Sequence, residues 1–165
     1  PILQEDEIWY DTSMTFDDAQ VRIFFQLFLA LVLGGVVGLE RELRKKEAGM
    51  RTHALVSLGA ALFTIIALEM FGATASSEGA KFDFGNVIGA VAIGLGFMGG
   101  GIIFVQSSRV IGLTTAAGVW VAGAVGVAVG AGFFATAIFA TLLLLIVLSV
   151  IGAVERKVFK KEELG

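Results

Sequence analysis

The residues of this sequence that could do chemistry lie beside long apolar runs, and most of them belong to a few short polar segments. The groups are two glutamates around an arginine, an Arg-Thr-His run, an isolated arginine and a threonine pair, comprising Glu40, Arg41, Glu42, Arg51, Thr52, His53, Arg109, Thr114 and Thr115. Carboxylates bind cations, histidine exchanges protons near neutral pH, and threonine hydroxyls cap helices. The set suits an ion, proton or partner-binding site, and it equally suits the fastening of helix ends to one another.

The same inventory argues against an enzyme. The chain has no Cys and one His, so it lacks a thiol nucleophile and a histidine pair for a metal. The glycine cluster Gly94-Leu-Gly96-Phe-Met-Gly99-Gly-Gly101 is only superficially like a dinucleotide fingerprint, because no strand precedes it and no ribose-binding acid follows. No spacing of acids suggests a cation cage, so no metal ligand is assigned. We expect a non-enzymatic protein without a cofactor and without a nucleic-acid partner.

Five apolar runs position these residues, at about 21–39, 53–71, 86–105, 113–131 and 133–153. A helix needs about 20 apolar residues to cross a bilayer. The last two runs nearly fuse, and we divide them at Gly130-Ala131-Gly132 because about 40 apolar residues would be twice one crossing. The predicted fold class is all-α, a polytopic membrane protein whose transmembrane domain of five helices covers 21–153.

The orientation follows from Lys and Arg, which concentrate on the cytoplasmic side. Ten of the 12 basic residues fall on alternate connections, namely Arg41, Arg44, Lys45, Lys46, Arg51, Arg109, Arg156, Lys157, Lys160 and Lys161. Only Arg22 and Lys81 fall on the other side. We therefore predict the N-terminus outside and the C-terminus inside. We expect residues 1–20 to form an acidic extracytoplasmic tail with Trp9 and Tyr10 at the headgroups, and 154–165 to form a charged cytoplasmic tail.

Small residues recur at helical spacing in three spans. Helices approach closely in lipid where side chains are small, and the expected packing residues are Gly34, Gly38, Gly96, Gly100, Gly118, Gly126 and Gly130. The stripe Gly118–Ala122–Gly126–Gly130 is the expected seam of a homo-oligomer, with a dimer favoured. The glycine cluster of the third span has two interpretations, tight packing or a broken helix that lines a polar cavity.

Charges at the ends of the first span need partners. Glu40 and Glu42 follow a helix whose C-terminal dipole disfavours negative charge, so we expect both to have cationic partners, with Arg51 and Arg109 as candidates. For Glu40 in particular we expect a pair with one of these two arginines. Thr114 and Thr115 are expected to cap the fourth span. His53 either titrates near neutral pH or bridges backbone groups at the interface.

Four ordered motifs resemble the MgtC/SapB family of membrane proteins, and they cover about residues 22–153. The motifs are Gly38-Leu39-Glu40-Arg41-Glu42, the segment from Gly49-Met-Arg51-Thr52-His53 to Leu62, the glycine cluster Gly94–Gly101, and Gly112-Leu113-Thr114-Thr115-Ala116-Ala117 with Trp120 following. Family members usually place an Asp and then an Arg ahead of the third span. Asp83 matches the Asp, whereas Asn86 stands at the Arg position and Ala90 at that of the usual Gln.

The resemblance implies a multi-pass protein of the inner (plasma) membrane, linked to adaptation to low Mg²⁺, acid or virulence-related stress. It also implies regulation of other membrane proteins, such as the ATP synthase. The leading hypothesis is accordingly a regulatory or interaction protein that self-associates in the bilayer. The alternative is a small transporter or channel for Mg²⁺, protons or another ion, with Glu40, Arg51, His53 and Asp83 near its pathway.

Overall fold

The computed structural model describes residues 17–74 and 84–152, which form five long helices. Helix α1 spans Asp18–Leu43, α2 Met50–Thr74, α3 Phe84–Ile102, α4 Leu113–Gly130 and α5 Phe134–Ile146, and α5 continues as a π-helical segment, Val147–Ile151. Five helices are long and apolar enough to cross a membrane. The predicted all-α class with five spans is therefore confirmed. The predicted roles of Trp9, Tyr10, Lys81, Asp83 and the tail at 154–165 lie outside the described residues.

The predicted division between the fourth and fifth spans is confirmed. Helix α4 ends at Gly130, and the amide of Phe133 donates to the carbonyl of Ala128 at 2.8 Å. Gly132 has φ of 83°, a left-handed conformation that suits glycine after a helix C-terminus. The chain therefore reverses within three residues, and the long apolar stretch folds as two antiparallel helices.

A β-hairpin between α3 and α4 was not predicted. Strands Phe104–Gln106 (β1) and Arg109–Ile111 (β2) pair antiparallel, with Gln106 opposite Arg109. Ser107 and Ser108 join them with φ of 48° and 65°. Positive φ at both central residues is the signature of a type I′ turn, which usually carries Asn-Gly instead of Ser-Ser. The predicted third span, which ran to 105, is thus too long, because α3 ends at Ile102.

The first two helices pack through the glycines predicted for that purpose. A Cβ added at Gly38 would lie 2.5 Å from the Cα of Met50, and one added at Gly34 would lie 2.5 Å from the carbonyl oxygen of His53. Both distances are too short for any side chain. The close approach of α1 to α2 therefore requires glycine at these two positions.

The fourth helix is the centre of the bundle, and its small-residue stripe packs inside the chain. A Cβ at Gly126 would overlap the carbonyl of Ser57, and one at Gly130 would lie 2.6 Å from that of Ala61. Ala122, between them, is fully buried. The stripe therefore faces α2 of the same chain, and the prediction that it forms an intersubunit seam is wrong. The reason is the position of α4, whose small-residue side is already covered by α2.

The third helix lies at the edge of the bundle. Its buried residues are Leu95, which fills the space at Gly123, and Gly99, whose added Cβ would lie 3.6 Å from that of Ala116. Gly96 and Gly100 have open space where a Cβ would stand, so the predicted packing of these two residues is wrong for the described chain. The helix is also continuous through its glycine cluster. Neither a broken helix nor dense packing describes this cluster, because most of it faces outward.

Candidate functional site

The polar residues singled out from the sequence gather at one end of the bundle, here called the basic end. It comprises the end of α1, the loop to α2, the start of α2, the hairpin, the start of α4 and the π-helical segment (40–53, 103–115 and 147–152). Contacts across it join segments far apart in the chain, such as the hydroxyl of Ser149 with the carboxylate of Glu40 at 3.3 Å. The predicted convergence is confirmed for the end of α1, the start of α2 and the start of α4, which are joined through Glu42 with Met50 and through Glu47 with Thr115.

Glu40 is the centre of an ion-pair network at this end. Its carboxylate binds the guanidinium of Arg41 at 2.5 Å and also that of Arg44. The predicted partners, Arg51 and Arg109, form no ion pair in the part of the chain that the structure describes. The physical reason is that α1 continues to Leu43. Arg44 consequently lies one turn beyond Glu40, where oppositely charged side chains of a helix meet.

The two arginines of this network also hold the end of the fifth span. Arg41, which is 2% exposed, donates to the carbonyl of Leu148 at 3.5 Å, and Arg44 donates to that of Ser149 at 3.3 Å. These carbonyls belong to the π-helical segment. Positive charge near the last carbonyls of a helix is favoured by the helix dipole. The network therefore fastens α1 to the end of the fifth span.

Glu42 binds a helix terminus instead of a cation. Its carboxylate accepts a hydrogen bond from the backbone amide of Met50 at 3.0 Å, the first residue of α2. The first amides of a helix have no partner within the helix, and the dipole makes that end attractive to negative charge. The expected cationic partner of Glu42 is thus replaced by the N-terminus of α2.

Thr115 serves the first loop and does not cap α4 as predicted. Its hydroxyl donates to the carboxylate of Glu47 at 2.8 Å. The residue before α4, Gly112, has a left-handed backbone conformation, and no side chain caps the helix. Thr114 is exposed. Two hydrogen bonds to this carboxylate lower the pKa of Glu47 below its ordinary value. The larger effect comes from the backbone of Glu47 itself and the next from Thr115. The sequence analysis missed Glu47 because nothing local distinguishes it from a solvated loop acid.

His53 and Ser57 form a polar pair inside the bundle, one turn apart on α2. His53 is fully buried, and its Nδ1 lies 3.0 Å from the carbonyl of Gly49, an arrangement in which this nitrogen donates. Of the two alternatives for His53, the structure shows a contact with one backbone group and, in the part of the chain that it describes, not a bridge between two. Its Nε2 and the hydroxyl of Ser57, also fully buried, have no hydrogen-bond partner among the described residues. Such unpaired buried groups are uncommon in proteins.

A further buried polar residue, at the opposite end of the bundle, was missed. The amide of Gln26 donates to the carbonyls of Val129 and Gly130 at 3.1 and 3.0 Å. It thereby provides a donor to two of the last carbonyls of α4, where the helix supplies fewer amides; the carbonyl of Val129 also accepts from the amide of Gly132 at 2.9 Å. A lone glutamine inside an apolar run was the available signal, since a polar amide in lipid needs a partner. At the same end, Arg22 and Glu69 form an exposed ion pair at 3.7 Å.

Five of the described site residues predicted from the sequence stay outside these networks, and the exposed Thr114 is one of them. Arg51 and Thr52 line one end of a groove between α2 and α3, and Asn86 lines the same groove further along. Arg109 is exposed on the hairpin. Across residues 17–74 and 84–152, no group of three or more His, Asp or Glu side chains is arranged to hold a metal ion.

Comparison with known proteins agrees with the resemblance seen in the motifs. The model of the MgtC family matches residues 27–157. The putative magnesium transporter YhiD of Escherichia coli (strain K12) is 38% identical over 125 residues, which cover 76% of this chain and 58% of that protein. Protein SrpB of Synechococcus elongatus is 37% identical over 133 residues, covering 76% and 72% of the two chains.

Protein MgtC of Brucella abortus (strain 2308) is 39% identical over 118 residues, which cover 72% of this chain and 46% of the relative. The chain thus spans about half the length of MgtC and somewhat more of YhiD. No solved structure matches it. With the family model covering nearly all of the bundle and five helices able to cross a membrane, this chain is a multi-pass membrane protein that belongs to the MgtC family.

Proposed function

We propose that this chain is a non-enzymatic regulatory or interaction protein of the inner membrane, acting in magnesium-related physiology. The magnesium connection rests on family membership and on the name of the YhiD relative. Since the chain covers only part of its relatives, the role is proposed for this membrane bundle alone.

One observation carries the choice of a regulatory over a transport role. The three glutamates of the basic end are each engaged within the chain, Glu40 by Arg41 and Arg44, Glu42 by the start of α2, and Glu47 by Thr115. A transport pathway needs polar groups that can exchange their partners with the passing ion. Carboxylates that fasten helix ends are better suited to a rigid scaffold.

The open face of α3 supports the interaction part of the proposal. Gly96 and Gly100 stand four residues apart, so they share one side of the helix, and both are exposed. Small residues at this spacing allow a second helix to approach closely in lipid. The partner we propose is a second copy of this chain, with another membrane protein, such as the ATP synthase, as the other candidate. The self-association expected at α4 thus moves to α3.

The test is the double variant Gly96→Leu/Gly100→Leu, compared with Gly101→Leu. Gly101 is also open but lies about 100° round the helix from Gly100. In bilayers, single-molecule photobleaching should count two or a few copies for wild type and for Gly101→Leu, and one copy for the double variant. A wild-type protein that is monomeric in mild detergent and in bilayers, and cross-links to no other membrane protein, would contradict the proposal.

A second candidate function is a small transporter or channel, favoured by the unpaired buried atoms of His53 and Ser57. Buried polar groups in a membrane bundle are a mark of ion or proton pathways. Proteoliposomes with a Mg²⁺-sensitive or pH-sensitive dye inside test this function. Flux with wild type that is lost in both His53→Ala and Ser57→Ala, but kept in Thr52→Ala, would replace the regulatory proposal. Vesicles that show no flux above protein-free controls would leave the regulatory proposal standing.

A further inference from the structure

Arg51 lies where two apolar grooves on the bundle surface meet. One groove, of about 920 Å³, runs between α2 and α3, and the other, of about 530 Å³, runs between α1 and α2. Arg51 and Leu55 line both grooves. These two residues are one turn apart on α2, and Leu55 is 65% exposed. The leucine therefore forms a ridge one turn further along α2 than the arginine, with one groove on either side.

The depth of the smaller groove fits one leaflet of a bilayer. Its α1 wall runs from Leu31 to Leu39, about 12 Å at the helical rise of 1.5 Å per residue. The hydrocarbon core of a bilayer is about 30 Å thick, so this groove reaches nearly to the midplane. An acyl chain has that reach, whereas a transmembrane helix would continue beyond it.

The charges at the mouth of the grooves favour an anionic headgroup. Arg51 is exposed and has no carboxylate partner among the described residues, and the exposed Lys45 and Lys46 stand on the loop that leads to it. The neighbouring carboxylate of Glu42 is already bound to the amide of Met50. A guanidinium binds phosphate oxygens in a bidentate manner. Basic pockets between transmembrane helices are a known means of binding anionic lipids.

We propose that this junction is a binding site for one anionic phospholipid of the leaflet at the basic end. The phosphate binds the guanidinium of Arg51, and the two acyl chains lie on either side of Leu55. One chain fills the groove between α1 and α2, and the other fills the adjacent half of the groove between α2 and α3. The site is separate from the open face of α3, because neither Gly96 nor Gly100 lines either of these two grooves.

The headgroup part is tested by native mass spectrometry of the full chain in detergent. Phosphatidylglycerol and phosphatidylcholine with identical acyl chains are titrated in separate arms. Wild type should retain phosphatidylglycerol preferentially, and Arg51→Gln should weaken that retention about fivefold, the effect of one basic residue near an anionic lipid. Arg109→Gln removes the same charge at the same end but outside both grooves, and should retain lipid as wild type does.

The acyl-chain part is tested by filling each groove. A Cβ at Gly35 would come no closer than 3.9 Å to α2, and one at Gly59 meets open space, so both positions accept a side chain. Gly35→Leu fills the groove between α1 and α2, and Gly59→Leu fills the other. Each should reduce the retention of phosphatidylglycerol. Gly72→Leu, on α2 but in neither groove, should leave it unchanged.

Three results would overturn the proposal. They are equal retention of the two lipids by wild type, unchanged retention in Arg51→Gln, and unchanged retention when both grooves are filled. If Gly59→Leu instead separates a dimer while the lipid stays bound, a helix of a second copy occupies the larger groove. The lipid site is then wrong, whereas the proposed self-association survives with a different surface.

Discussion

The contact of Thr115 with Glu47 predicts a pH dependence at the scale of single residues. The pKa of Glu47 is lowered in the folded protein, so this carboxylate contributes stability above its unfolded pKa and loses that contribution as the pH falls through the folded value. Thr115→Val removes the donor. It should raise the pKa of Glu47 and destabilise the protein at neutral pH by less than about 1 kcal/mol, because solvent screens this exposed group. The difference from wild type should vanish in acid.

Thermal unfolding in detergent from pH 7 to pH 3 measures this stability difference, with the exposed Thr114→Val as control. A difference that persists at pH 3 would contradict the role given to the contact of Thr115 with Glu47.

The seam between α2 and α4 predicts a large effect of one substitution at the scale of helices. Gly126→Leu places a side chain against the backbone of Ser57. Overpacking costs typically 1–3 kcal/mol where side chains can adjust, and a helix backbone adjusts less. The variant should therefore unfold at a clearly lower temperature or fail to fold, as measured by circular dichroism in detergent. Gly101→Leu, which meets open space, should match wild type. If Gly126→Leu instead folds stably and only fails to form oligomers, the stripe would again be interpreted as the seam between subunits.

Topology is the prediction that belongs to the whole molecule. The end of α1, the start of α2, the start of α4 and the π-helical segment meet at the basic end, and Lys and Arg of short loops favour the cytoplasm. Reporter fusions in the loop 44–49 and at the C-terminus should both be cytoplasmic, and a fusion at the N-terminus should be outside. A C-terminal reporter that is active only in the periplasm would show that the bundle has the reverse orientation or that one helix does not cross.

The sequence alone determined the number of spans, the split near Gly132 and the convergence of the polar residues at one end. Each of these depends on hydrophobic length or on chain order, and both can be read without knowledge of neighbours. The use of Gly34 and Gly38 was predictable for a similar reason, because a helix pair joined by a short loop must be adjacent in space.

Only the tertiary structure decided which groups are partners. Glu40 could have reached several arginines; it binds the adjacent Arg41, and the extra helical turn at the end of α1 adds Arg44. The glycines of α3 and α4 look alike in sequence, yet Gly126 and Gly130 of α4 are buried against α2 while Gly96 and Gly100 of α3 are open. A small residue permits close approach without specifying the helix that approaches. The choice depends on which helix occupies the centre of the bundle, and that is a property of all five spans together.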